Sequence, residues 1–315
     1  MKYAAIGILT VMLAAAASRT PAVGGGVPYP VYRAGAPVTI DGKLEEKAWE
    51  GLVTATNFKV FKQMELADDQ TYFRMGWDKD FLYLAVRCAE PSMDKVTSTV
   101  PDGGYVLTED SVEIFIASEE IYEHFAVNPI GSRWNHGRCR NWQAAAVRGR
   151  ESWTLEAKIP FREVGGMPET GTTWKVNVFR NATDFASGKR KWTSWSPVKT
   201  DAHDADRFRG IEFKDRALDA GEASARSERY NAVSEQGLHE ELRRAAKALF
   251  TKCREHAAEV ESEVAATRFG DALSRLASRL REKLSLEKLD NVRLEAEALH
   301  AEIIKFKMKM LVENE

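Results

Sequence analysis

The sequence has few cysteines and little net charge, and both shortages narrow the classes of protein to consider. Its 315 residues include 3 cysteines, Cys88, Cys139 and Cys253, so at least one thiol is unpaired within a monomer. Their spacing matches no set of metal ligands. We expect small buried thiols, and a Cys88–Cys139 disulfide stays open as the alternative. The net charge of −2 gives no basis for binding nucleic acid or an anionic membrane.

Long apolar runs are absent beyond the first residues. Lys2 precedes an apolar run from Ala4 to Ala17, and at about 14 residues this run is short for a membrane-spanning helix. Small residues at its end give residues 1–17 the pattern of a secretory signal peptide, with a retained membrane anchor as the alternative. We therefore expect a mature protein that is secreted, periplasmic or on the cell surface, with no membrane segment after cleavage.

Prolines are sparse overall, but several lie directly after this segment together with glycines. Residues 18–37 contain three consecutive glycines and also Pro28, Pro30 and Pro37. Little in this stretch can pack against a core. The composition predicts a linker over residues 18–37.

Residues 38–214 have the sequence pattern of short β-strands separated by turns. Apolar residues alternate over Phe73–Trp77 and again over Leu82–Val86, with a break at Asp78–Asp80, which predicts a hairpin. The region lacks the helical intervals of a parallel α/β sheet. We predict an antiparallel β-sandwich over residues 38–214.

The stretch Thr108–Ala117 predicts which side of one strand carries chemistry. Its aliphatic residues fall on one side, and Glu113 falls on the other with Phe115. An ionised carboxylate is costly in an apolar interior, so Glu113 should face away from the core. The same alternation in His124–Asn128 places Asn128 on the side of Glu113. We expect the two side chains to converge if their strands pair.

Several motifs in this region form a recognisable series. In chain order they are IDGKLEEKAW (40–49), MGWDKDFLYLAVR (75–87), TEDSVEIFI (108–116), WTLEAKIPF (153–161), GTTWKVNVFRN (171–181), TSWSP (193–197) and HDADRFRGIEF (203–213). In order and spacing they resemble the family 9 carbohydrate-binding modules, over about residues 38–213. The resemblance implies an antiparallel β-sandwich whose concave side holds a sugar at a chain end.

The resemblance also implies which residues bind. Family members hold the sugar between two tryptophans and hydrogen-bond its hydroxyl groups with a Glu, an Arg and an Asn. The matching positions here are Glu113, Asn128 and Trp195. An aromatic ring suits the apolar C–H face of a sugar, and carboxylate and amide groups suit its hydroxyls.

Two positions depart from the family pattern. Leu107 replaces the first clamp tryptophan, and Ala126 replaces the arginine. Tyr105, in the glycine-containing loop before Leu107, either supplies the second ring or only covers the edge of the sandwich. Both interpretations of Tyr105 stay open.

The loop Thr200–Phe208 is rich in oxygen ligands. Asp201, Asp204 and Asp206 lie close together in the sequence and are candidates for a calcium site. The spacing of an EF-hand is absent, and a solvated acidic loop is the alternative. Calcium is the one cofactor that the sequence suggests.

Residues 215–315 are rich in Ala, Glu, Arg, Leu and Lys, and their apolar residues recur at helical spacing. The pattern predicts an α-helical hairpin that turns near Phe269–Asp271, or a three-helix or coiled-coil segment with a second break near Ser285. Its apolar stripe must pack on itself, on the sandwich or on another subunit. We expect self-association or a protein partner, and a β domain ending near Asp215 that folds alone.

These patterns favour non-catalytic recognition of a saccharide, as an accessory to polysaccharide breakdown. One alternative is a scaffold that has lost ligand binding and assembles through its helices. The other is a glycoside hydrolase, which needs two carboxylates roughly 5 to 10 Å apart. Glu113 with Glu109, Asp110 or Glu156 would be the candidates.

Overall fold

The computed structural model describes residues 26–118, 121–169, 173–198, 200–260 and 263–313. The predicted signal peptide lies outside these residues. Within them, no helix has an apolar stretch long enough to cross a membrane.

The described residues form one 13-stranded sheet and a helical region. The strands are β1 (Tyr29–Arg33), β2 (Thr54–Ala55), β3 (Lys59–Val60), β4 (Thr71–Trp77), β5 (Phe81–Ala89), β6 (Ser111–Ala117), β7 (Tyr122–Val127), β8 (Arg133–His136), β9 (Gln143–Arg148), β10 (Ser152–Pro160), β11 (Thr173–Asp184), β12 (Lys189–Ser194) and β13 (Arg209–Lys214). The helices are α1 (Lys47–Glu50), α2 (Ala220–Ala258), α3 (Glu263–Arg279) and α4 (Leu286–Glu313).

The strands form two halves that enclose one core. Their order is β8-β7-β6-β11-β13-β1-β4-β5-β10-β9, with β12 beside β11 and β3, and β2 beside β4. Inward side chains of both halves, such as Ile114 of β6 and Leu155 of β10, belong to the same buried cluster. The sheet therefore folds back on itself as a sandwich, which confirms the predicted β-rich class.

Strand β1 joins the two halves and corrects the linker prediction. It pairs in parallel with β13 on one side and with β4 on the other. Tyr29 and Val31 are fully buried in the core. The linker prediction over residues 18–37 is therefore wrong for β1, because the aromatic and aliphatic residues of YPVYR outweigh the neighbouring glycines and prolines. The sheet is antiparallel except at β1.

The hairpin β4–β5 shows how the alternation sets the packing. Trp77 lies opposite Leu82, and the inward residues of both strands are buried. The Asp78 carboxylate accepts hydrogen bonds at 2.8 Å from the backbone N–H groups of Asp80 and Phe81. Such a side-chain turn satisfies backbone donors that the strands cannot pair. The predicted hairpin is confirmed.

Trp195 lies in the core of the sandwich. It is fully buried, and its ring centroid lies 4.8 Å from Phe73 and 6.0 Å from Tyr29. The Arg209 guanidinium lies 5.2 Å from the ring centroid. A ring enclosed in this way cannot stack on a sugar, so the prediction that Trp195 is the stacking platform is wrong. The three cysteines are also buried, and all are free, which confirms the expectation of unpaired thiols.

Helix α2 begins on the sandwich and helps to close it. Asp219 caps the helix by accepting a hydrogen bond of 2.8 Å from the Glu222 backbone N–H. Tyr230 enters the sandwich core and meets Tyr29 edge to face at 5.3 Å. Lys59 of β3 is buried against this helix and pairs with Glu235 at 2.6 Å. The expectation that the β region folds alone is therefore in conflict with the packing.

The second half of α2 packs with α3 and α4 around a separate core. Leucines of all three helices, including Leu242, Leu276 and Leu289, are buried there. The predicted three-helix arrangement is confirmed. The turn predicted near Phe269–Asp271 is wrong, because α3 runs through that stretch and the first turn follows α2 at Ala258. Gly270 lies within α3, and a Cβ at this position would meet no atom of the other described residues within 4 Å.

The burial of Trp195 predicts a stability effect. We expect Trp195→Ala to lower the free energy of unfolding by about 3 to 5 kcal/mol, because a large cavity replaces the ring. Trp192→Ala is the matched control, since Trp192 is 43% exposed, and it should cost about 0.5 kcal/mol or less. Urea unfolding of both variants measures the difference. Equal, small losses would show that Trp195 is not a core residue.

The contact between α2 and the sandwich predicts that the two regions unfold together. Tyr230→Ala should destabilise the β region by about 2 to 5 kcal/mol, followed by near-ultraviolet circular dichroism. Val233→Ala, on an exposed position of the same helix, should change the stability by about 0.5 kcal/mol or less. A β-region transition that Tyr230→Ala leaves unchanged would show that α2 is an independent appendage.

The helical region contains an interhelical histidine pair that predicts a pH dependence. His256 Nδ1 of α2 lies 2.9 Å from His300 Nε2 of α4. Burial, followed by the charges of His256 and Lys252, lowers the pKa of His300. The unfolded chain therefore binds more protons than the folded chain, and stability falls as the pH drops below about 6.5, the unfolded value.

We expect His300→Gln to reduce this loss of stability. The measurement is the difference in unfolding free energy between variant and wild type at about pH 7 and at about pH 5. Because both proteins share every other titrating group, the difference isolates the histidine pair. An identical pH profile for both proteins would contradict the prediction.

Candidate functional site

One face of the first half of the sheet carries the candidate site. Across five adjacent strands, register partners place Trp134, Ala126, Glu113, Phe179 and Ser194 in one row on the side away from the core. We call this side the Glu113 face. Its floor is the strand pair β6–β11, and β8 forms one margin. Glu113 therefore points to the side opposite the aliphatic residues of β6, as predicted.

Two side chains fix the Glu113 carboxylate. One carboxylate oxygen lies 2.6 Å from His124 Nε2, and the other accepts a hydrogen bond of 2.8 Å from the Asn181 amide. The His124 ring is stacked on Phe115 with centroids 4.1 Å apart. Glu113 is 6% exposed, and a carboxylate this close to the interior needs such partners. Its position and its orientation are therefore set before any ligand arrives.

An aromatic pair stands beside this carboxylate. Trp134 of β8 meets Tyr105 edge to face with centroids 5.3 Å apart, and it meets His124 at 5.1 Å. Tyr105 is 57% exposed. Ala126 lies on β7 between Trp134 and Glu113, so the position where the family pattern has an arginine holds only a methyl group. The ring of Trp134 and the carboxylate thus flank a small residue.

Asn128 supports the loop that carries Tyr105. Its amide nitrogen donates to the Val100 carbonyl at 3.1 Å and to the Glu109 carboxylate at 2.7 Å. Its amide oxygen accepts from the backbone N–H groups of Ile130 and Ser132. Because Asn128 is fully buried and its amide is fully used, the structure does not bring it to a sugar. The predicted direct contact is corrected to a supporting role.

Further hydrogen bonds hold the same loop. The Glu109 carboxylate accepts from the backbone N–H groups of Thr99 and Val100. Asp102 pairs with Arg133 at 2.8 Å, and this hydrogen bond lowers the pKa of Asp102. Tyr105 therefore stands on an anchored loop beside Trp134, with more than half of its surface exposed. A ring that is anchored and exposed in this way is accessible to a ligand.

The loop Thr200–Phe208 covers the other end of the Glu113 face. Phe208 packs on Phe115 and Phe179 in a small buried cluster, and His203 Nδ1 lies 2.7 Å from the Tyr122 hydroxyl. The loop therefore limits the open part of the face to the end with Trp134 and Tyr105.

The three calcium candidates of this loop do not converge. Asp204 pairs with Arg207 at 3.2 Å, and Asp206 lies 3.9 Å from Lys175. Asp201 accepts from the His203 backbone N–H. Each carboxylate thus has its own local partner. The one set of three potential ligand groups found in the described ranges lies elsewhere, at Asp41, Glu46 and Glu156.

The Glu156 carboxylate already has three donors. It accepts hydrogen bonds from the backbone N–H groups of Asp41 and Gly42 at 2.9 and 2.8 Å and from the Trp49 indole at 2.7 Å. Burial raises the pKa of Glu156. Its role is to fasten the Asp41–Gly42 turn to β10. Glu156 lies in the other half of the sheet from Glu113, so the two do not share a cleft.

The other two carboxylates proposed for a hydrolase also have hydrogen-bond partners. Asp110 accepts from the Thr183 hydroxyl at 2.7 Å and pairs with Arg190 at 3.3 Å. Glu109 holds the Tyr105 loop, as described. These bonds give both carboxylates structural roles beside Glu113.

Three residues of the site were missed as ligand candidates in the sequence. They are Asn181, His124 and Trp134. Alternation in β11 would have found Asn181, because Phe179 and Asn181 share the Glu113 face. The parity of β7 already placed His124 there. Trp134 had no usable signal, since β8 is a short edge strand.

The sequence model described as "Carbohydrate family 9 binding domain-like" matches residues 40–216. No curated protein matches the chain.

Similar solved structures include a family 9 carbohydrate-binding module from Caldicellulosiruptor kristjanssonii in complex with cellotriose. The two are 19% identical, with a TM-score of 0.46 over 60% of this chain and 95% of that one. A putative carbohydrate-binding protein from Bacteroides uniformis is 17% identical, with a TM-score of 0.46 over 60% of this chain and 100% of that one. The sequence model matches residues 40–216, from before α1 to just after β13. This chain therefore belongs to the family of carbohydrate family 9 binding domain-like proteins.

Proposed function

We propose that this protein binds a saccharide on the Glu113 face and does not catalyse its cleavage. The observation that carries the proposal is the fixed Glu113 carboxylate beside the aromatic pair Trp134–Tyr105. Membership of a carbohydrate-binding family supports it. The relatives from Caldicellulosiruptor kristjanssonii, solved with cellotriose and with glucose, suggest β-glucosides as first probes.

The chemistry of the face suits a sugar. The exposed ring of Tyr105 and the partly exposed ring of Trp134 stack against the C–H face of a pyranose. The Glu113 carboxylate accepts from a hydroxyl group at the floor, and charge makes this hydrogen bond stronger than a neutral one. Asn181 and His124 hold the carboxylate in place, so little ordering is left to occur on binding. In this proposal Trp134 takes the stacking role that the sequence assigned to Trp195.

The rest of the chain fits a binding accessory. We propose that residues 1–17 direct export, to the periplasm, the cell surface or the medium, where polysaccharide breakdown takes place. We also propose that the three-helix region connects the sugar-binding sheet to a second copy of the chain or to a protein partner. Both proposals rest on the sequence patterns, and neither depends on the binding proposal.

The aromatic pair predicts where binding is lost. We expect Trp134→Ala to weaken binding of cellotriose, or of the best ligand from a glycan array, at least tenfold, about 1.4 kcal/mol. Glu113→Gln should weaken it by a similar factor, because a hydroxyl group loses its charged acceptor. Isothermal titration of the full chain measures both.

Met308→Ala is the control. Met308 is an exposed apolar residue on α4, outside the sheet. It should leave binding of a short saccharide unchanged. Wild-type affinity in Trp134→Ala, or a wild type that binds no glycan, would contradict the proposed site and favour a scaffold.

A further inference from the structure

A second groove lies on the other half of the sheet, away from the Glu113 face. It encloses about 350 Å³, within the range of about 300 to 1,000 Å³ typical of small-molecule sites. Its lining residues are Leu44, Thr54, Tyr72, Phe73, Arg74, Ala85 and Arg87. The groove crosses β2, β4 and β5, and the turn before α1 borders it.

Two arginines give the groove its charge. Arg74 donates from Nε to the Thr54 hydroxyl at 2.9 Å. Arg87 makes no hydrogen bond or ion pair with any residue that the structure describes, and its guanidinium lies 5.9 Å from the centroid of the Tyr72 ring. Arg74 likewise has no carboxylate partner within those residues, and the exposed Glu50 acts on it only from a distance. The groove therefore presents two guanidinium groups without paired acids.

The walls between these charges are apolar. Tyr72 is 36% exposed and lies opposite Arg87 in the β4–β5 register. Ala85 lies opposite Arg74, so a small side chain leaves depth between the arginines. Leu44 closes one side in a left-handed backbone conformation, with φ of 59°. Such backbone costs about 1 kcal/mol or more and is often found at binding sites.

We infer that this groove binds a hexuronic acid unit of an acidic saccharide. A carboxylate matches the forked donors of a guanidinium group, and the face of a sugar ring covers Tyr72 and Leu44. An inorganic anion would neutralise the arginines but leave these walls uncovered. The inference uses none of the residues of the Glu113 face, so it stands or falls separately from the site proposed there.

The test is a calorimetric titration of the full chain with D-glucuronate, and with D-glucose as the neutral counterpart. Glucuronate should bind at least tenfold more tightly than glucose in a Trp134→Ala background, where the Glu113 face is weakened. Arg87→Gln should reduce glucuronate affinity at least tenfold, and Tyr72→Ala should also reduce it. Added salt should weaken binding, because the attraction is between charges near the surface.

Arg150→Gln is the matched control, since Arg150 is exposed and outside the groove. It should leave glucuronate binding unchanged. Because Arg87 is also exposed, its variant should unfold as wild type does. Arg74→Lys is a second test variant. It keeps the positive charge but loses the paired N–H donors of the guanidinium group, so it should weaken glucuronate binding.

Several outcomes would overturn the inference. One is a protein that binds no glucuronate, and another is an Arg87→Gln variant with wild-type affinity. Sulfate, or a short poly-glutamate peptide, that binds as tightly as glucuronate would show an anion or peptide site instead. Glucuronate binding that is lost in Trp134→Ala and kept in Arg87→Gln would assign the sugar to the Glu113 face.

Discussion

The position of Tyr29 is the constraint on which the rest of the molecule depends. Its hydroxyl donates to the Val53 carbonyl and accepts from the Met75 backbone N–H at 2.9 Å. Its ring touches Trp195, which directly follows β12, and Tyr230 in α2. Burial raises the pKa of Tyr29, so the hydroxyl stays neutral. One side chain therefore joins the strand between the two sheet halves to the helix that closes them.

Much of the fold follows from periodicity in the sequence. The β4–β5 hairpin and the sidedness of β6 were predictable, because each strand is long and its apolar residues recur at every second position. Strand β1 was not, because Pro30 and the glycines before it argue against a central strand. Pro30 is accommodated where β1 pairs in parallel with β13. The pairing with β13 outweighs the missing N–H of Pro30, and it forms only in the tertiary structure, between strands that are distant in the sequence.

The candidate site was predictable only in part, and the reason is again physical. Alternation indicated the outward side of Glu113, since β6 is regular. Trp195 follows the end of β12, and its backbone N–H bonds to Val178 across the sheet. No local pattern tells which way a residue points once the strand has ended. Asn128 was placed on the correct face, but its amide nitrogen is used by Val100 and Glu109, which are distant in the sequence, and its amide oxygen by the turn that follows it.

Helix α2 has a mechanical consequence. Its 39 residues run unbroken from the β region into the three-helix region, a length of about 58 Å. A flexible tether would let the two regions rotate freely, whereas a continuous helix with its first turns anchored acts as a stiff strut. Anything attached to the three-helix region is therefore held at a set distance and direction from the sandwich. A pull on that attachment would be transmitted directly to the core around Tyr29.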